Sequence, residues 1–264
     1  MRIATFNCNS IRVRLPAILA WLDKYRPDIL ALQETKVTDK DFPLAPIEDR
    51  GWHAAFHGEK SYNGVAILSP LPLKNISFGM RGDSGSSDTR LLRAVSGEVT
   101  IVNTYVPQGQ DLESDRFRFK LDWLARLADY FKANFDPGRE RVAWIGDMNV
   151  APEAMDVYDS KAVWPHVCHC QDVADAFRAV VAVGFRDVFR KHLPDPETFT
   201  FWDYRRRNSL ELNRGWRIDH ILATPPLADR SCGCHVDIGP RRADRPSDHT
   251  FVYADFSPQS EPTA

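Results

Sequence analysis

The chain has 264 residues, of which 43% are hydrophobic and 27% charged, with 34 basic residues against 36 acidic ones and a net charge of −2. At about 150 residues per domain the length fits one large domain or two small ones, and the composition excludes disordered, collagenous and low-complexity chains. The near-neutral charge, with an isoelectric point near 6.4, excludes a polybasic nucleic-acid binder but not a local basic rim.

No window approaches ~18 uninterrupted apolar residues, so no membrane partner is expected. The opening Met1-Arg2-Ile3-Ala4-Thr5-Phe6-Asn7 turns polar too early for a signal peptide. Five cysteines, an odd and modest number, point to a reduced, cytoplasmic protein.

In chain order, Arg2–Phe6 reads as a buried strand. Leu15, Ile18, Leu19 and Leu22 then recur at helical spacing, with Pro16 tolerable if it falls in a first turn. Strands are predicted at Ile29–Leu32, Val65–Leu68 and Val99–Asn103, followed by an amphipathic helix from about Phe117 to Phe131. Val142–Ile145 is a strand, Val173–Val183 a third helix, and Arg217–Leu222 and Phe251–Phe256 close the series as strands. Strands dominate without strict βαβ alternation, which predicts an α+β domain of packed sheets with helices outside. No linker or repeat divides the chain, so residues 1–256 are expected to form one domain, with 257–264 as a flexible tail.

The acids fall at strand ends. Glu34 ends an apolar run, Asp147 follows Gly146 at the end of another, Asp219 sits within a third, and Ser247-Asp248-His249 precedes the last. Asn7 closes the first strand and Asn149 follows Asp147. Any one of these could be a turn residue. Together they predict carboxylates, amides and a histidine converging on a hard-cation site such as Mg²⁺. That chemistry suits phosphate-ester hydrolysis, which needs charge neutralisation and proton management near an attacking water. Tyr105, in Tyr105-Val106-Pro107-Gln108-Gly109, adds a phenol at a strand end. Cys168-His169-Cys170 and Cys232-Gly233-Cys234 have the wrong spacing for zinc and read as incidental thiols.

An ordered series of segments resembles the bacterial exonuclease III family of the endonuclease/exonuclease/phosphatase superfamily, nearly end to end. It runs through Phe6-Asn7-Cys8-Asn9-Ser10, Leu32-Gln33-Glu34-Thr35-Lys36, Asn63-Gly64-Val65-Ala66 and Asn103-Thr104-Tyr105-Val106-Pro107. It continues through Gly146-Asp147-Met148-Asn149, Phe201-Trp202-Asp203-Tyr204-Arg205, Asn213-Arg214-Gly215-Trp216-Arg217-Ile218-Asp219 and Ser247-Asp248-His249. The resemblance implies a four-layered α/β sandwich, two packed β-sheets flanked by helices.

It further implies a Mg²⁺-dependent DNA-repair nuclease, with Mn²⁺ as the alternative ion, acting on duplex DNA with abasic sites or 3′ ends; a monomer is expected, although the sequence itself is silent on oligomeric state. The implied reactions are 3′–5′ exonuclease release of 5′-mononucleotides, AP endonuclease cleavage and removal of 3′ phosphates. By the resemblance Glu34 would hold the metal, with Asn7 nearby and Asp248 in its outer shell. Asp219 would orient His249, Asp147 would manage the attacking water, and Asn149 and Tyr105 would contact the scissile phosphate. Asn9, Arg12, Arg90, Gln108, Trp202 and Asn213 would face DNA, and Phe201, Trp216 and Ile218 would wall a pocket for a flipped-out abasic sugar. Arg205-Arg206-Arg207, Arg214 and Arg217 could track phosphates.

Ser10 stands where the family often has glycine, His220 is expected to face away from the site, and the stretch 163–175 matches least well. Two alternatives stay open: another metal-dependent phosphodiesterase of the same fold, of sphingomyelinase or inositol-phosphate phosphatase type, and a catalytically silent nucleic-acid-binding module.

Overall fold

The computed structural model describes residues 1–80 and 89–258, so the expected tail lies outside the described residues from 259 onward. The strands are β1 Arg2–Asn7, β2 Ile29–Gln33, β3 His53–His57, β4 Val65–Ser69, β5 Lys74–Phe78, β6 Leu91–Ser96, β7 Val99–Tyr105, β8 Val142–Asp147, β9 Arg186–Asp187, β10 Asp219–Ala223, β11 Ser231–Asp237 and β12 Phe251–Phe256. The helices are α1 Ile11–Tyr25, α2 Ala45–Glu48, α3 Asp115–Asn134, α4 Ser160–Val163, α5 Gln171–Val181, α6 Val188–His192 and α7 Pro225–Ala228. The strands form two six-stranded sheets, ordered β11-β12-β1-β2-β4-β3 and β5-β6-β7-β8-β10-β9. β1 runs parallel to β2 and β7 parallel to β8, while the remaining neighbours are antiparallel. Among the described residues no helix is long and apolar enough to cross a membrane.

The layering follows from period-two alternation on strands buried on both faces. On β1, Ile3 points between the sheets while Ala4 and Phe6 face α1; on β8, Ala143 and Ile145 point inward while Val142 and Trp144 face α3 and α5. Ile18, Leu19, Trp21 and Leu22 of α1 close the outer face of the first sheet. Trp123, Leu124, Leu127 and Phe131 of α3, with Val173, Phe177 and Val180 of α5, close the second. The expected four-layered sandwich is the observed fold.

Helix α3 starts where Ser114 Oγ accepts from the Phe117 amide, satisfying one of the free donors of the first turn. Pro16 is not in a first turn: α1 begins at Ile11, so the proline falls in the second turn and the bond back to Arg12 is forgone. Strands β3, β5 and β11 carried little sequence signal because each is an edge strand and keeps little of the buried alternation. β5 is exposed along its whole length.

Arg217 corrects an expectation. It lies just before β10, 1% exposed, with its guanidinium on Asp156 at 2.7 and 3.1 Å and on Asp187 at 2.8 Å, so it cannot track DNA phosphates. It also donates to His220 Nδ1 at 3.2 Å, leaving the other ring nitrogen to donate to the Val150 carbonyl at 2.8 Å. His220 thus faces the outer layer against Phe177, away from Asp219.

Burial alone would raise the Asp156 carboxyl, but Arg217 and Arg190 outweigh it and hold it at about 2, against an ordinary 3.8. A depressed carboxylate stabilises the fold above its unfolded value, and that contribution is lost as pH falls from about 4 to about 2. It is worth on the order of 2 kcal/mol. Asp156→Asn is therefore expected to flatten the decline of the urea midpoint below pH 4. At neutral pH it should cost about 3–5 kcal/mol, because the buried Arg217 then keeps only Asp187 of its two carboxylate partners. A full acid limb in the variant would place that limb elsewhere.

Candidate active site

The inward-facing positions change character along the strands. β2 presents Ile29 and Ala31 and then Gln33, and β7 presents Ile101, then Asn103 and Tyr105. A polar layer spans the sheets at this level: Gln33 Nε2 donates to Asn103 Oδ1 at 2.7 Å and to Thr5 Oγ1 at 2.9 Å. Asn103 Nδ2 returns bonds to the carbonyls of Leu32 and Ala66, both at 2.9 Å. One step further along the same registers stand Asn7, Tyr105, Asp147 and Asp219, with Tyr105 and Asp219 each directly paired to Asp147. Gly146, at φ 138, precedes Asp147; a Cβ there would lie 2.0 Å from the Thr104 carbonyl oxygen, so only glycine lets β8 lie against β7.

Asn7 joins the two sheets at the site. Its Nδ2 donates to Glu34 Oε1 and to Asp147 Oδ2, each at 2.8 Å, while its Oδ1 accepts from the Asn9 amide. Glu34, at φ 51 just past β2, also receives Lys36 Nζ at 2.7 Å on its second oxygen. Burial would raise Glu34, but Lys36, Asn7 and His249 together hold it below its ordinary value.

Across the cleft, His249 Nδ1 sits 2.8 Å from Asp219 Oδ2, and its Nε2 is 3.7 Å from Asp147 Oδ2. Burial opposes the charged ring, but Asp219 and Asp147 outweigh it and keep His249 protonated above its ordinary range. Asp147 itself is raised by burial and by the charge of Asp219, with His249 opposing. Burial and the charges of Glu34 and Asp147 push the Tyr105 phenol well up, so it stays neutral and can donate. The Arg90 guanidinium lies 4.9 Å over the Tyr105 ring.

Glu34, Asp147 and His249 bring ligand atoms within 4.8 Å of one another, forming the one such grouping among the described residues. A cation fits the two carboxylates of this set: they are crowded in a largely buried place, Asp147 is raised by burial and by the charge of Asp219, and each oxygen has a lone pair to spare, whereas the protonated His249 offers none. The expected set of Glu34, Asn7 and Asp248 is arranged differently. Asn7 is turned as a donor between the carboxylates, and Asp248 Oδ1 instead accepts from Asn9 Nδ2 at 3.0 Å. The cysteines are all free thiols and enter no such grouping.

These groups floor a cavity of about 550 Å³, walled by Phe201, Trp216 and Ile218 and rimmed by Arg205 and Arg206. Trp216 and Phe201 are half-buried and Ile218 is buried, so all three serve the small core around Val157 and line the cavity as well. Beyond Tyr105 lies a second hollow of about 580 Å³, lined by Lys36, Tyr62, Arg90, Gln108, Arg116 and Phe119 among others.

Trp202 corrects another expectation: it is 3% exposed, packs on Gly215 and donates its indole N–H to Asn213 Oδ1 at 3.1 Å, so it is a structural prop. Asn213 borders a separate hollow with Arg214, and Arg12 pairs with Asp41 outside both cavities. The side chain of Asn149 is turned inward, Nδ2 donating to the Val106 carbonyl at 2.9 Å. His166 and Cys168, which line the cavity, escaped sequence reasoning because they belong to the weakly matching stretch 163–175. Ser10, at φ 95, adopts the backbone region that favours glycine.

The two-sheet fold with this convergent acid–amide–histidine site is that of the Endonuclease/Exonuclease/phosphatase family, whose model matches residues 4–249, and the chain belongs to that family. It is 32% identical to exodeoxyribonuclease III of Haemophilus influenzae, across 97% of this chain and all of that one. Among solved structures it is similar to an AP endonuclease from Archaeoglobus fulgidus, with a TM-score of 0.95 and 44% identity over 98% of this chain and all of that one. It is also similar to the 3′ phosphatase NExo from Neisseria bound to a product DNA hairpin, with a TM-score of 0.92 and 34% identity over 97% and 99% of the two chains.

If the Asn7 amide keeps Glu34 and Asp147 apart electrostatically, Asn7→Ala should lower stability by about 1.5–3 kcal/mol, the range for hydrogen bonds to charged groups. Excess divalent cation should narrow that deficit by screening the same two carboxylates. Urea titrations with and without the cation read both effects, and an equal deficit in each would show that the amide serves only β1.

Proposed function

We propose that this protein is a metal-dependent DNA-repair nuclease that hydrolyses phosphodiester bonds of duplex DNA. The observation that carries the reading is the buried chain Asp219–His249–Asp147, tied through Asn7 to Glu34 at the floor of a cavity with one apolar wall and one arginine rim. The named relatives support the substrate: an exodeoxyribonuclease, an AP endonuclease and a 3′ phosphatase bound to a DNA hairpin. The activities proposed are 3′–5′ exonuclease, AP endonuclease and 3′-phosphatase or phosphodiesterase. Residues 1–256 act as one domain, in a monomer of the cytoplasm with no membrane partner.

Glu34 and Asp147 are the oxygen donors that would hold Mg²⁺, with Mn²⁺ as substitute and Asp248 held behind them by Asn9. A cation bound there supplies positive charge to the phosphate. Asp147, raised and desolvated, accepts the proton of the attacking water. The His249 imidazolium, oriented by Asp219, faces the phosphate oxygens and stabilises the charge that builds on them in the transition state. Tyr105 donates its phenolic hydrogen to the same group, and Asn149 holds the loop that aims it. Phe201, Trp216 and Ile218 give a sugar lacking its base an apolar surface, and Arg205 and Arg206 engage flanking phosphates.

The direct test is a time course on two matched duplexes, one with a recessed 3′ end and one with an internal abasic site, with and without EDTA. Headgroup release from a phospholipid with both duplexes intact would overturn the reading, as would DNA binding with no EDTA-sensitive cleavage. Two variants then separate the acids. Asp147→Asn should reduce turnover on the order of 10²–10⁴-fold while duplex binding survives. Glu34→Gln should chiefly raise the Mg²⁺ concentration needed for half-maximal rate. Identical metal titrations for wild type and Glu34→Gln would remove Glu34 from the metal set.

His249 and Asp219 are expected to act as a unit. The loss in kcat/KM for the double variant His249→Asn/Asp219→Asn should fall well short of the product of the single losses, and multiplicative losses would separate the two roles.

A further inference from the structure

Helix α3 carries a buried stripe of Phe117, Trp123, Leu124, Leu127 and Phe131, and in the middle of it stands a lysine. Lys120 is fully buried, a position that lysine almost never takes without partners. Its partners are three backbone carbonyls from three separate segments: Asn149 and Val167, both at 2.7 Å, and Gln108 at 3.1 Å. An ammonium has three hydrogens and no lone pair, so three carbonyls satisfy its donors completely. Burial pulls this ammonium below its ordinary range, with the charge of Asp147 acting the other way. The stem is packed too: a Cβ on Gly109 would lie 3.3 Å from Lys120 Cδ and 3.3 Å from Val167.

Each of the three segments ends at the cavity. Gln108 lies three residues beyond Tyr105 and lines the cavity itself, Asn149 follows Asp147, and Val167 stands between His166 and Cys168 in the wall. Gln108, Asn149 and Val167 all lie in irregular backbone outside the strand ladders, with isolated bonds such as Ala151 N–H to the Cys168 carbonyl at 2.7 Å between the segments, and Asn149 sits at φ 49.

We propose that Lys120 is a positioning residue for catalysis, its ammonium gathering the Gln108, Asn149 and Val167 carbonyls so that Tyr105, Asn149 and the 166–168 wall hold their places around the scissile phosphate. The proposal rests on the nuclease reading above. The lysine touches no substrate. It acts through the loops it fixes, and displacement of about 1 Å at reacting groups is enough to cost on the order of 10²-fold in rate.

The test uses the full chain on the recessed-3′-end duplex with Mg²⁺. Lys120→Met, which keeps the stem and removes the donors, should lower kcat about 10–100-fold and leave KM within about threefold. Lys120→Gln, with two donors, should fall between it and wild type. In an Asn149→Ala background, Lys120→Met should cost clearly less than it does in the wild type, because one of the groups it positions is gone while Tyr105 and the 166–168 wall remain. Hydrogen exchange, which needs no activity, should quicken together at 106–110, 148–151 and 166–169 while β1 and β2 stay protected.

A wild type that cleaves no duplex refutes the nuclease reading, whereas a cleaving wild type with kcat unchanged in Lys120→Met refutes the positioning role alone. Multiplicative losses with Asn149→Ala, or uniformly faster exchange, would also refute it. Failure of both Lys120→Met and Lys120→Gln to fold would assign the lysine to folding and overturn the proposal.

Discussion

The side-chain amide of Asn7 has two carboxylates to serve, one from each side of the interface between the sheets. Glu34 follows β2 in the first sheet and Asp147 ends β8 in the second, so the bond is made only if the sheets pack at one depth and one stagger. The layer below enforces that stagger. Gln33 and Asn103 bond to each other across the interface, and Asn103 closes on carbonyls of β2 and β4. Unpaired, these amides would cost more than they contribute when paired, which makes the register selective rather than merely favourable.

Carboxylates gathered this closely oppose folding, and the two buried acid clusters resolve the conflict differently. Asp156 and Asp187 are matched by the guanidinium of Arg217, and the Asp156 carboxyl is held well down. Asp147 is pushed up by burial and by the charge of Asp219, which a histidine and amides do not outweigh. The first cluster is electrically complete and fixes the start of β10. The second keeps charge and proton affinity in reserve for something that arrives, whether cation, water or phosphate. Sites that break the pairing rule in this way are where chemistry is expected.

The cavity is assembled from segments that are not strands. The 157–169 and 199–216 segments bring Trp216, Phe201 and His166 around the His249 end of the cleft, and short bridges such as Phe201 to Trp216 and Phe201 to His249 tie them to the sheet ends. A rigid two-sheet scaffold with variable connections at one end lets such walls change without disturbing Asn7, Asp147 or Asp219.

Most of the central strands and the acids at their ends were legible in the sequence, because strands buried on both faces read as apolar runs and a carboxylate closing such a run stands out; β6, interior between β5 and β7, was not read. Glu34 and Asp147 stood out in this way, and the structure brings them together with Asp219, read within a strand, and His249, read just before one; the three long helices were legible as well. Edge strands such as β5 and β11 were not found, since half-solvated backbone needs no apolar pattern. Pairing was also out of reach. Nothing local in Arg217 distinguishes a phosphate-tracking arginine from one buried on Asp156, and nothing local in Trp202 shows that its indole is spent on Asn213. Lys120 interrupts an apolar helical stripe and so could be seen as an anomaly, but its three carbonyl partners lie 12, 29 and 47 residues away. Sequence determined which groups lie at strand ends, because alternation and chain direction are local properties. Only the tertiary structure decided which of those groups meet, because hydrogen-bond partners and burial depend on contacts that the packing of the two sheets creates.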